Sequence, residues 1–171
     1  MAKSRYEKYV VRKPAVVVKQ ADDKYVDVIP ETNNLPVKNA VDTGPRVIFS
    51  KKAVKDANTV VEYGFITGDT TVGIGEDFVP HKHDYEEIFM FLGTNAKDTT
   101  DLGAEVEFYL GEGENLEKVV FTTSSSVYVP PGVAHFPQVW KNVKRPVMTM
   151  VIMPTSGDKE VKPVSMKGRM K

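Results

Sequence analysis

The chain has no cysteine in its 171 residues. A disulfide framework, a thiolate zinc cluster and a thiol nucleophile are therefore excluded, and any metal has to be held by nitrogen and oxygen. Net charge is missing too, because 23 Lys and Arg balance 23 Asp and Glu. Such a balance leaves no broad basic surface for nucleic acid, and no nucleic-acid partner is expected. Long apolar runs are absent. The run from Ala15 to Val18 is too short for the core of a secretory signal, and no window approaches the ~20 residues of a membrane span. A soluble cytoplasmic protein with no membrane partner is the expectation. Histidine is scarce as well: the sequence contains three, His81, His83 and His135.

The rest of the composition is that of an ordinary folded chain, 41% hydrophobic and 27% charged, with a length that suits one domain. Valine and threonine are abundant, and Pro and Gly cut the sequence into short pieces, the texture of an all-β protein. Strands are expected at 46–50, 58–67, 70–74, 87–92, 104–110, 118–122, 126–129, 136–140 and 147–153. In 104–110, Val106, Phe108 and Leu110 share one face while Glu105, Glu107 and Tyr109 share the other. Turn signals lie between the strands, at Thr67-Gly68-Asp69, Gly73-Ile74-Gly75, Gly111-Glu112-Gly113 and Pro130-Pro131-Gly132. One short helix fits 50–57. Many short strands and few helices favour a sandwich or small barrel. The expected division is an irregular arm at 1–45, the barrel at 46–154 and a polar, lysine-rich tail at 155–171.

The histidines fall in two places, Val79-Pro80-His81-Lys82-His83 and Pro130-Pro131-Gly132-Val133-Ala134-His135. In an extended segment His81 and His83 project from the same face; on a helix they would point to nearly opposite sides. Asp84-Tyr85-Glu86 suits a tight bend, after which 87–92 returns with Glu87, Phe89 and Phe91 on one face. This hairpin brings the Glu87 carboxylate beside the two imidazoles. His135 has to arrive from a strand distant in sequence.

Gly75, His81, His83 and Glu87, with Gly93 closing the segment, resemble the first cupin motif. Pro130-Pro131-Gly132-Val133-Ala134-His135 resembles the second. The resemblance covers roughly residues 59 to 153. It implies a double-stranded β-helix (a jelly-roll-like barrel) in which His81, His83, Glu87 and His135 hold one divalent metal ion. The chain departs from the motifs in three places: Gly93 comes one residue early, Ser124 and Ser125 open the second motif, and Val139 stands at its usual Asn. The four ligand positions are intact.

Three imidazoles and a carboxylate suit Fe, Mn, Zn, Ni, Co or Cu as the divalent ion and do not choose among them. Four ligands on a six-coordinate ion leave two positions for water or a chelating substrate, an open site in the manner of catalytic metals. The wall around it is expected to be aromatic and nearly free of charge, with Phe65, Phe89 and Phe91 contacting substrate and the Tyr63 hydroxyl as a catalytic donor. Tyr85 is expected at the surface of the bend. The resulting expectation is a metal-dependent enzyme acting on a small organic molecule, of dioxygenase, isomerase, lyase or decarboxylase type. Its alternative is a non-catalytic small-molecule binding or sensing cupin. A homodimer is expected, partly from exposed sheet edges.

Overall fold

Period-two alternation of apolar and polar residues carries most of this chain into strands. The structure, a computed structural model, describes residues 5–13, 15–19, 25–28, 46–73, 80–154 and 162–163. In chain order the strands are β1 (Ala15–Lys19), β2 (Tyr25–Val28), β3 (Val47–Phe49), β4 (Val60–Ile66), β5 (Thr70–Val72), β6 (His81–Lys82), β7 (Glu87–Gly93), β8 (Asp101–Leu110), β9 (Glu117–Thr123), β10 (Ser125–Val129), β11 (His135–Lys141), β12 (Val147–Met153) and β13 (Lys162–Pro163). The helical elements among the described residues are two single 3₁₀ turns, Glu7–Tyr9 and Gly113–Asn115.

Two local expectations are corrected. The helix at 50–57 is instead a run of turns, in which the Ala53 and Val54 N–H groups donate to the Ser50 carbonyl and Ala57 donates to Val54. The Ser50 hydroxyl accepts the Lys52 N–H at 3.3 Å, a local bond that competes with helix growth. Within the stretch expected to be irregular, the valine-rich β1 pairs with β3 on one side and β2 on the other. Pro30, Asn33, Asn34, Pro36 and Pro45 lie outside the described residues, as do Gly75 of the first motif and the tail apart from β13.

The strands form two antiparallel sheets. One has seven strands in the order β10-β7-β12-β4-β3-β1-β2, and the other has six described along β13-β6-β11-β8-β9, with β5 pairing β11. Neighbours are distant in sequence: β7 lies between β10 and β12, and β11 lies between β6 and β8. This winding is that of a double-stranded β-helix.

Alternation decides what fills the space between the sheets. On the larger sheet the buried positions are Glu87, Phe89 and Phe91 of β7, Val147, Thr149, Val151 and Met153 of β12, and Val60, Glu62 and Ile66 of β4. Facing them are Val106 and Phe108 of β8 and Trp140 of β11. Rings from both sheets meet in the middle, with Phe89 at 5.1 Å from Phe108 and Phe91 at 5.8 Å from Trp140 between centroids. Each buried ring of this kind contributes about 1.5–3 kcal/mol, so the aromatic seam is a main tie between the sheets. Gly93 ends β7 where the backbone crosses Asp101 so closely that a Cβ would overlap the Asp101 carbonyl.

The interior is not free of charge. The Arg46 Nε donates to the Glu62 carboxylate at 2.6 Å and its Nη1 to the Thr149 hydroxyl at 3.2 Å, with the Glu62 side chain 8% exposed. A buried carboxylate needs such a partner. The expectation of a nearly charge-free wall is corrected to this extent.

Candidate metal centre

β6 is short because Pro80 precedes it and the bend at Asp84 follows it closely. Its extended backbone puts His81 and His83 inside, at 2% and 3% exposure, with Lys82 turned outward to pair with Glu112. The bend 84–86 then delivers Glu87 as the first residue of β7, at 4% exposure. His135, fully buried, opens β11 directly opposite His81 in the strand register. The Pro130-Pro131-Gly132 turn is tied to the first motif, since the Gly132 N–H donates to the His83 carbonyl at 2.7 Å. Gly132 has φ +78°, a conformation that glycine adopts without a Cβ penalty.

The imidazoles converge. Centroids of His81 and His135 are 4.5 Å apart, those of His81 and His83 are 4.8 Å apart, and one ligand nitrogen from each of the three lies within 4.8 Å of the others. The three could hold a metal ion. Glu87 Oε2 lies 2.9 Å from His135 Nε2 and 3.4 Å from His83 Nε2. Two donors bonded to one ion at ~2.0–2.2 Å stand about 3 Å apart at a right angle and about 3.5 Å apart at a tetrahedral angle, so these spacings suit a shared ion. The 2.9 Å contact is short, yet neither Glu87 Oε2 nor His135 Nε2 makes a hydrogen bond, although both atoms are buried. Buried polar atoms left this way are uncommon, and a cation between them would satisfy both.

Surrounding contacts set the donors. His135 Nδ1 is 3.3 Å from the Val133 carbonyl, which can only accept; a proton on Nδ1 suits this contact, and Nε2 is the atom that would turn its lone pair to an ion when one is bound. The Tyr85 ring stacks on His83 at 4.6 Å and 15°, half-buried and not at the surface as expected from the sequence. Burial alone would raise the Glu87 carboxyl pKa, but the His135 and His83 imidazoles beside it outweigh this and hold it at about 2. The group stays ionised, as a metal ligand must.

The expected wall residues divide. Phe89 is buried at 5.5 Å from His135, and Phe91 is buried one step further along, against Phe108, Phe121 and Trp140. Tyr63 and Phe65 are on the other face of β4, opposite Met150 and Met148 of β12, and Phe65 is 43% exposed. The cause is parity. Glu62 turns inward to meet Arg46, so its neighbours of odd number turn out. Two wall residues had no sequence assignment: Phe136, 5.1 Å from His135 and 5.4 Å from His81, and Phe108, 5.1 Å from Phe89.

No family model matches this chain, and no curated protein matches it. Solved structures do. An oxalate oxidase in complex with glycolate is 15% identical with a TM-score of 0.51, over 73% of this chain and 56% of its own. A second oxalate oxidase structure is 14% identical with a TM-score of 0.51, over 87% of this chain and 77% of its own. A deletion mutant of the Bacillus subtilis oxalate decarboxylase is 12% identical with a TM-score of 0.51, over 80% of this chain and 35% of its own. The chain thus spans little more than half of the first of these and about a third of the last. Likeness at this level shows the fold alone, a double-stranded β-helix.

Proposed function

We propose that this chain is a metal-dependent cupin enzyme acting on a small oxygen-bearing organic molecule, with His81, His83, Glu87 and His135 holding one divalent ion. The observation that carries the proposal is the convergence of four buried donors from three separate segments of the chain, two of whose atoms, Glu87 Oε2 and His135 Nε2, are left without a hydrogen bond. An ion bound there would act as a Lewis acid toward an oxygen ligand. The chain's own residues do the rest. Val133 fixes the His135 tautomer, Tyr85 orients His83 by stacking, and the ionised Glu87 lowers the net charge of the site. Phe89 and Phe136 pack against His135 and exclude water, so electrostatic interactions at the centre are screened less than at the surface. The same proposal includes a homodimer, in which the half-buried apolar outer face of the larger sheet (Met90, Met148, Met150, Ile152) meets its copy.

The test is elemental analysis and calorimetric titration of the purified protein with Mn(II), Co(II) and Zn(II). Binding of one equivalent is expected, and Ala at any of the three histidines should weaken it at least tenfold while circular dichroism stays unchanged. Equal metal affinity in the wild type and the His135→Ala variant would overturn the proposal.

A further inference from the structure

The four donors of the candidate centre share the barrel interior with other side chains that carry donor atoms. Glu62 and Thr149 are taken up by Arg46. Gln138, turned inward by a register shift in β11 after His135, stands opposite Phe108, on the way to Trp140. Level with the centre itself another donor atom is buried, the thioether sulfur of Met153.

Its place follows from the strand register. β12 runs antiparallel to β7 with Ile152 opposite Ile88, so one step further on Met153 comes level with Glu87. Both side chains are on the inner face, at 0% and 4% exposure. Residues so placed on neighbouring strands have Cβ atoms about 4.5–5.5 Å apart. The Tyr85 hydroxyl donates to the Met153 sulfur at 4.0 Å, and the Tyr85 ring is the one stacked on His83. The sulfur thus lies between the level of Glu87 and the ring that covers His83. Met90, Met148 and Met150 have the opposite parity and are half-buried on the outer face.

We infer that the Met153 thioether is a further donor to the ion, and that it turns the centre toward copper, in its reduced state above all. The inference rests on the proposed metal function and adds the choice of metal. Imidazole and carboxylate accept the first-row divalent ions without choosing among them, whereas a thioether is a soft donor that favours Cu(I) and adds nothing for a hard ion such as Mn(II). The Tyr85 hydroxyl occupies one lone pair of the sulfur and leaves the other for the ion. Charge points the same way. With three neutral imidazoles and the ionised Glu87, Cu(I) makes the centre neutral, while a divalent ion leaves one positive charge inside a wall of phenylalanine rings.

The chain contains no cysteine, so sulfur found on a bound ion has to come from methionine. X-ray absorption at the copper edge of the Cu(I)-loaded protein, prepared without oxygen, should show one sulfur scatterer beside the nitrogen and oxygen donors. Met153→Leu should remove it. In competition with a Cu(I) chelator the same variant should bind Cu(I) about tenfold more weakly or worse, with Mn(II) affinity kept within about twofold. The wild-type spectrum decides the matter by itself if the variant does not fold. A copper shell of nitrogen and oxygen alone, or a sulfur signal that survives Met153→Leu, would overturn the role of Met153. Equal losses of Cu(I) and Mn(II) would do the same, since they mark a residue that only packs. Each of these results leaves the metal centre standing. Failure of the wild type to bind either ion would overturn the metal reading and this inference with it.

Discussion

Acidification of the metal-free protein should remove a definable share of its stability through Glu87. The carboxyl goes from an ordinary value of 4.5 to about 2 in the folded chain. A folded-state value below the unfolded one stabilises the fold above the unfolded pKa, and the gain disappears as pH falls through the folded pKa. Lowering the carboxyl from 4.5 to about 2 corresponds to roughly 3 kcal/mol of stability. The contribution should therefore be whole above about pH 5 and nearly gone at pH 2. Urea unfolding of the metal-free wild type and Glu87→Gln, compared from pH 5.5 to 2.5, isolates it, because titrations common to both proteins cancel in the difference. The wild-type advantage should shrink by 2–3 kcal/mol over that interval. A difference that stays constant within about 0.5 kcal/mol would refute the account of Glu87 as a carboxylate held ionised by His135 and His83.

Replacing Arg46 with Met leaves the buried Glu62 without its guanidinium and should cost about 3–5 kcal/mol by denaturant unfolding, with much of the loss recovered in the double variant Arg46→Met, Glu62→Gln. Gly73→Ala places a Cβ 2.7 Å from Phe136 at φ +86°, so it should lower thermal stability by about 1–3 kcal/mol and weaken metal binding by displacing the ring beside His81 and His135; unchanged metal affinity would show that Phe136 is not a positioning residue. Light scattering should return twice the 19.0 kDa chain mass, and Met150→Lys on the outer face of the larger sheet should return the monomer.

Much of the barrel was legible in the sequence because its strands obey simple alternation. In 104–110 the inward set is the one that period two dictates, and His81 and His83 lie on one side of an extended segment as their spacing requires. Legibility failed where a tertiary partner decided the face. Glu62 reads as an outward residue between apolar neighbours, and only Arg46, sixteen residues away, makes its burial favourable and so sends Tyr63 and Phe65 out. It failed again at Gln138, where counting from His135 gives the wrong side. Pro137 was the available signal, since proline inside a strand marks an edge or a bulge. The strands β1 and β2 were missed for a different reason. Their valines suited a strand, but the prolines and asparagines that follow suggested irregular chain throughout.

The candidate centre draws on both sheets. The three imidazoles sit on or just beyond strands of the smaller sheet, and the carboxylate is the first residue of a strand of the larger one. Neither half, taken alone, amounts to a site. The donor set comes into being at the moment the two sheets close on each other, so metal affinity becomes a gauge of barrel closure. An intermediate with either sheet formed in isolation would be blind to the ion, and an ion captured at closure would then hold the doors shut.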